Sequence, residues 1–200
     1  MAKPPDSDKK VSELREDAKA AGITGVSHMR KEELVEALDH NGASQNGLDG
    51  EDAIALLVAD HRNVKDLFGR VLDKEPGDES MADLAERIIT ELEAHTQAEE
   101  QLFYPALKAR AIERDDDEAK EGVVEAYVEH GSVKELISKI RSSSPSDESY
   151  KAMLQVMSEQ VDHHVEEEEG EMFEQARQLL EPEALQSLGR KMAELKATRS

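Results

Sequence analysis

The sequence predicts an all-α protein, an up-down-up-down four-helix bundle over residues 51–200 preceded by a small N-terminal helical module. Three observations carry this. Charged residues make up 36% of the chain and aromatic residues 3%, with no Trp and no Cys, a composition of solvated helices. From Glu51 onward, apolar residues recur at spacings of three and four, in runs separated by short breaks rich in Pro, Gly, Ser or Asp. Finally, the second half of that segment repeats the first at a fixed offset of 69 residues.

Taken in order, residues 1–42 hold two short helices, Val11 to Ala21 and Met29 to Asp39, joined by an extended stretch. Gly22 and Gly42 stand at C-cap sites and Ser27 near the second N-cap. Residues 43–50, within "NGASQNGLDG", form a flexible linker. The first bundle helix presents Ile54, Leu57, His61, Val64, Phe68 and Val71 on one stripe until "EPGDES" stops it. The second carries Leu84, Ile88, Leu92, His95, Glu99 and Leu102 and runs to about Ala111, with a kink or break expected at Pro105. The third carries Val123, Tyr127, His130, Ile137 and Ile140 and stops at "SSSPSD", which supplies a Ser or Asp cap for the fourth. That fourth helix carries Met153, Met157, Val161, His164, Glu168 and Met172, and a short closing helix follows from Glu183 to Lys196, with Pro182 at its first turn.

Composition also excludes several functions. Without cysteine there are no disulfides, zinc thiolates or thiol catalysis, so a metal has to be held by His and carboxylate. The net charge is -21; residues 1–50 carry 7 basic and 10 acidic side chains, and residues 51–200 carry 18 and 36. The bundle therefore holds -18 of the total (18 minus 36), which opposes binding to a phosphate backbone. "MAKPPDSDKK" has no apolar core, and the longest apolar run, Ala53 to Ala59, is seven residues. Neither a signal peptide nor a membrane span is expected, and the expected location is cytoplasmic.

In each of the four long stripes a His falls where an aliphatic residue belongs, and in the second and fourth a Glu follows on the same face one turn later. One such His is most often a hydrogen-bonded core residue. Four, with two carboxylates, converge six polar groups in one interior, where unpaired they would cost several kcal/mol apiece. The offset ties them together. "ADHRNVKDLF" lies on "VEHGSVKELI" and "HTQAEEQLF" on "HVEEEEGEM", so His61 meets His130, His95 meets His164 and Glu99 meets Glu168. With seven His in 200 residues, a second match at a fixed offset arises by chance roughly one time in thirty. Two helical hairpins related by a pseudo-twofold axis follow, each giving one His from its first helix and His-x-x-x-Glu from its second. Residues four apart stand about 6 Å along the axis and can grip the same or adjacent ions. This favours Glu99 over Glu100 and Glu168 over Glu169. The register leaves His163 off the ligand face, and the remainder of "EEEE", Glu166 to Glu169, is expected to be solvated. Six N and O ligands suit two iron or manganese ions better than one zinc.

At these residues, 51 to about 180, the chain resembles a hemerythrin-type cation-binding domain of the HHE kind: His61, "HTQAE", His130 and "HVEEE" fit its pattern. The resemblance implies a non-haem di-iron centre held by His61, His95, Glu99, His130, His164 and Glu168, bridged by the two carboxylates and an oxo or hydroxo group, with manganese as the alternative metal. Oxygen-carrying members place a second His where Lys134 stands and their last carboxylate where Glu169 stands. With one imidazole fewer, chemistry with peroxide, oxygen or nitric oxide is implied more than reversible carriage. Peroxidase- or catalase-like turnover is the enzymatic form of that implication, and a gas or iron sensor or carrier is the non-catalytic form.

"SELREDAKAAGI" and "MRKEELVEAL" resemble the N-terminal domain of Rho termination factor over about 32 residues. That implies docking to nucleic acid or a protein partner, through residues 10–42 alone. The local charge is near neutral and no aromatic platform is present. His28 and His40 receive no ligand role; His40 lies in a last helical turn, which welcomes its partial charge.

Overall fold

The computed structural model describes residues 52–75 and 77–198 together with Lys10, Val11, Leu14, Lys31 and Leu34. The chain divides into two compact units, Met1–Asp49 and Gly50–Ser200. In the first, Val11, Leu14, Lys31 and Leu34 are helical, and Leu14 and Leu34 are buried. The rest of the predicted short helices, their extended connection, the linker, His28 and His40 lie outside the described residues.

Every regular element of the second unit, among its described residues, is a helix. Asp52 opens α1 (Ala53–Leu72) by accepting from the Ala55 N–H at 2.8 Å, and Asp78 opens α2 (Glu79–Ala98) by accepting from Ser80 at 2.8 Å. α2 continues through a π turn, Glu99–Phe103, into α3 (Tyr104–Arg114), which Asp115 closes in the left-handed conformation at φ 57°. Asp116 caps α4 (Asp117–Arg141), and α5 (Glu148–Glu167) passes through a second π turn, Glu168–Met172, into α6 (Phe173–Leu179). Pro182 begins α7 (Pro182–Ala197), as expected from its preset φ. Asp147 stands at the N-cap of α5 but makes no side-chain cap bond; its carboxylate accepts from the Ser144 N–H instead.

Two expectations need correcting. The helix does not break at Pro105. The irregularity lies just ahead of it, where the Tyr104 N–H bonds to the Glu99 carbonyl five residues back, and Pro105 sits harmlessly in the first turn of α3. Tyr127 is not in the core stripe: it is 39% exposed and donates to the Glu100 carbonyl, while Ala126 is buried. The run Val123, Ala126, His130, Val133, Ile137, Ile140 keeps the three-four spacing, which leaves Tyr127 on the flank.

Two apolar clusters fill the bundle. One is built from the later half of α1, the earlier half of α2, the later half of α4 and the earlier half of α5. The other takes the opposite halves with α3, α6 and α7. The histidines fall between them in sequence on every helix: His61 between Leu57 and Val64, His95 between Leu92 and Ala98, His130 between Ala126 and Val133, His164 between Val161 and Met172. A polar layer is thus sandwiched between two greasy ones. Leu154→Ala, at a fully buried position of the first cluster, is expected to cost about 2–5 kcal/mol. For a chain of this size that lowers Tm by roughly 5–20 °C, measurable by calorimetry, and a loss of under about 2 °C would show the cluster to be loosely packed.

Candidate metal centre

All six predicted residues meet in that layer, none more than 6% exposed: His61 from α1, His95 from α2, Glu99 at the start of the first π turn, His130 from α4, His164 from α5 and Glu168 at the start of the second. They fall into two sets that share a carboxylate. The ligand atoms of His61, His95, Glu99 and Glu168 lie within 4.8 Å of one another, and so do those of Glu99, His130 and His164. Glu99 spans the two: Oε1 is 3.2 Å from His95 Nε2 and Oε2 is 3.5 Å from His130 Nε2. Glu168 turns Oε2 toward His61 Nε2 at 3.2 Å and His164 Nε2 at 3.6 Å. The imidazoles pair nitrogen to nitrogen, His61 with His95 at 3.2 Å and His130 with His164 at 3.1 Å. Both π turns begin on the inward Glu, 69 residues apart, so the local widening of the helix recurs with the repeat.

The outward Nδ1 of every one of these histidines meets a carboxylate on another helix. Asp60 of α1 takes His95 at 3.2 Å, Glu100 of the first π turn takes His130 at 2.9 Å, Glu129 of α4 takes His164 at 2.7 Å, and Glu169 of the second π turn takes His61 at 2.9 Å. A carboxylate can only accept, so Nδ1 donates in all four and Nε2 is the atom left for a ligand. The links run α1 to α2, α2 to α4, α4 to α5, and α5 back to α1, a closed ring. Sequence reasoning missed all four carboxylates. The signal was present: Asp60 aligns with Glu129 and Glu100 with Glu169 at the same offset. The "EEEE" run is thereby corrected, since Glu169, though 40% exposed, orients His61. His163 lies on the outside, 65% exposed and 3.2 Å from Glu167. Lys134 points out to Glu100 at 2.6 Å, and Lys65 is exposed beside Asp162.

The offset also exposes a break in symmetry. Tyr104 is buried with its hydroxyl donating to Glu168 Oε1 at 2.8 Å and 3.4 Å from His130 Nε2. Its counterpart is Phe173, which stacks on His61 at 5.9 Å between centroids. One set therefore has a hydroxyl beside it and the other a phenyl ring. Burial raises the Tyr104 hydroxyl well above its usual range, and the Glu99 and Glu168 charges add to this, so it stays protonated.

The charges are those of a site organised for cations. Burial opposes a charge on His95, yet Glu99, Asp60 and Glu168 outweigh it and push the imidazole up to about 10. His164 is raised in the same way: burial works against it, and the Glu129 hydrogen bond and the Glu168 and Glu99 charges prevail. Burial lowers His130, helped by its neighbour His164, while Glu168, against its own burial, is held down to about 2 by the closeness of the His61 imidazole and the charges of His164 and His95. Metal fit is decided by what the protein leaves unsatisfied. Both oxygens of Glu99 and Oε2 of Glu168 are buried without a hydrogen-bond partner. Such atoms cost about 1–3 kcal/mol each unless something completes them, and a cation does so.

Residues 52–176 match the family described as the hemerythrin HHE cation binding domain. The chain belongs to that family. Residues 7–47 match the Rho termination factor N-terminal domain. A solved HHE cation binding domain-containing protein from Mycobacterium kansasii shares the fold, with a TM-score of 0.65 at 24% identity over 75% of this chain and 88% of that one. A DNA nickase of Nostoc sp. is 28% identical over 142 residues, 71% of this chain. The HHE chain spans 37% of that relative's length. Among the described residues, no helix is long and apolar enough to cross a membrane.

Proposed function

We propose that the HHE bundle holds two non-haem iron ions, with manganese as the alternative, and reacts with a small oxidant such as peroxide, oxygen or nitric oxide. The observation that carries this is the pair of ligand sets sharing Glu99, each with two inward Nε2 atoms. Soft ligands are absent and carboxylate is shared, which suits a pair of redox-active ions over a single zinc. When bound, such a pair supplies adjacent Lewis-acid and electron-transfer positions.

The protein's own residues do the rest. His95 must give up its Nε2 proton to become a ligand, and Asp60 keeps the Nδ1 proton in place while it does so. A small chamber beside the histidines is walled by Val64, Leu92, Val133, Val161 and Val165. Its mostly apolar wall suits a small neutral molecule. The Tyr104 hydroxyl fixes Glu168 and is poised to give a proton on the His130 side. With Lys134 and Lys65 turned outward, neither set gains a third imidazole, which leaves room for an added ligand. The -18 formal charge of residues 51–200 works against DNA as the bundle's substrate.

Elemental analysis and the visible spectrum of iron-loaded protein, before and after peroxide or oxygen, test this. About two irons per chain, with spectral change and peroxide consumption, are the expected result. A long-lived reversible oxygen spectrum with no peroxide consumption would instead favour a sensor or carrier, and zinc alone at full occupancy would sink the dinuclear reading.

A further inference from the structure

Outside the centre, α4, α5 and the second π turn enclose a groove lined by eight glutamates, among them Glu121, Glu125, Glu129, Glu167 and Glu171. Its lining, among the described residues, contains no Lys or Arg, and its inner end is formed by His164 and Glu168 of the centre itself. The Oε2 of Glu168 is buried and has no hydrogen-bond partner. At the outer end Glu129, His163 and Glu167 bring three ligand atoms within 4.8 Å of one another. Glu129 joins the two ends, with Oε1 3.9 Å from His163 Nε2 and Oε2 2.7 Å from His164 Nδ1.

The other half of the repeat does not carry the same side chains at four of the matching positions. Shifted back by 69 residues, Glu125 becomes Leu56, His163 becomes Ala94, Glu167 becomes Ala98 and Glu171 becomes Leu102. Leu56, Ala98 and Leu102 belong to the apolar cluster that includes Leu185 and Met192 of α7, and Lys196 of α7 is paired with Asp60. α7 packs on α1, α2 and the first π turn. One face of the pseudo-symmetric bundle is thus sealed with aliphatic side chains, and the matching face is lined with acid.

We propose that the acidic groove is the port through which divalent cations reach the centre, with Glu129, His163 and Glu167 as the outer stop and Glu168 as the inner one. This rests on the reading that the bundle holds metal. A low-dielectric cleft lined with one sign of charge focuses the field and raises the local concentration and on-rate of the opposite sign by about 10- to 1,000-fold.

The test is the rate at which cobalt(II), read by its visible absorption, enters the full-length metal-free protein at low ionic strength. The triple variant Glu121→Gln, Glu125→Gln, Glu167→Gln is expected to load about tenfold or more slowly yet reach the same final cobalt content. A charge-matched control, Asp66→Asn, Asp83→Asn, Glu135→Gln, is expected to load as the wild type does. Equal loading rates for all three proteins, or an equal slowing in both variants, would overturn the port. If the wild type takes up no cobalt at all, the metal-centre reading fails together with it, an outcome distinct from uptake that the groove substitutions leave untouched.

Discussion

Iron added anaerobically to the metal-free protein is expected to raise its Tm by roughly 8–16 °C, and Glu99→Ala is expected to abolish most of that gain. A ligand that binds only the folded state, present at 1,000 times its Kd, stabilises by about 4.1 kcal/mol. For a chain of this length each kcal/mol moves Tm by roughly 2–4 °C. Glu99 is the residue to remove because it alone belongs to both ligand sets, with one oxygen facing each. Its oxygens lack any hydrogen-bond partner of their own, so the cation is the group that satisfies them. Calorimetry with and without iron reads the result. A variant whose iron-induced shift matched that of the wild type would show that Glu99 is not a shared ligand.

His164→Ala should cost the protein at least one ion per chain, whereas His163→Ala should leave its metal content unchanged. The two residues are neighbours with opposite environments. His164 is buried with Nε2 turned to His130 and Nδ1 held by Glu129, and His163 is mostly exposed beside Glu167. Removing His164 also strands the Glu129 carboxylate that it satisfied, so a drop in stability accompanies the loss of metal. Metal analysis of both variants after identical loading decides the matter. Equal loss in the two would show that the 69-residue register misassigns the inward face.

The stripes, the breaks between helices and the repeat were legible because each is a pattern of residue type along one chain. The six inward residues were legible for the same reason, since a His on an apolar face is conspicuous. The outer carboxylates were not. Asp60 and Glu100 each sit one residue away from an inward-facing group, and in a chain that is 36% charged they look like ordinary solvated acids. The π turns also leave no compositional mark: "EEQLF" and "EEGEM" have the makings of plain helix, and only the structure shows the bonds from the Tyr104 and Phe173 N–H groups to the Glu99 and Glu168 carbonyls five residues back. Pro105 drew attention for its missing N–H, yet it occupies a first turn, where that deficit is harmless. Tyr127 illustrates the same limit, because spacing alone does not separate it from Ala126.

The ring of histidine–carboxylate links bears on when, during synthesis, the centre comes into being. Three links join residues 35, 30 and 35 apart in sequence, while the fourth, from Glu169 back to His61, joins residues 108 apart. The longer loop adds only about 1 kcal/mol of closure entropy, so thermodynamics hardly distinguishes the last link from the others. Chain order does. A polypeptide emerging N-terminus first can tie α1 to α2 while the second hairpin is still being made, but the Nδ1 of His61 stays without its carboxylate until Glu169 has emerged and its helix has docked. Neither ligand set belongs to one hairpin either, since the first needs Glu168 and the second needs Glu99. A nascent half-protein therefore displays histidines without presenting a finished cage, and cation capture is deferred to the moment when the two hairpins meet.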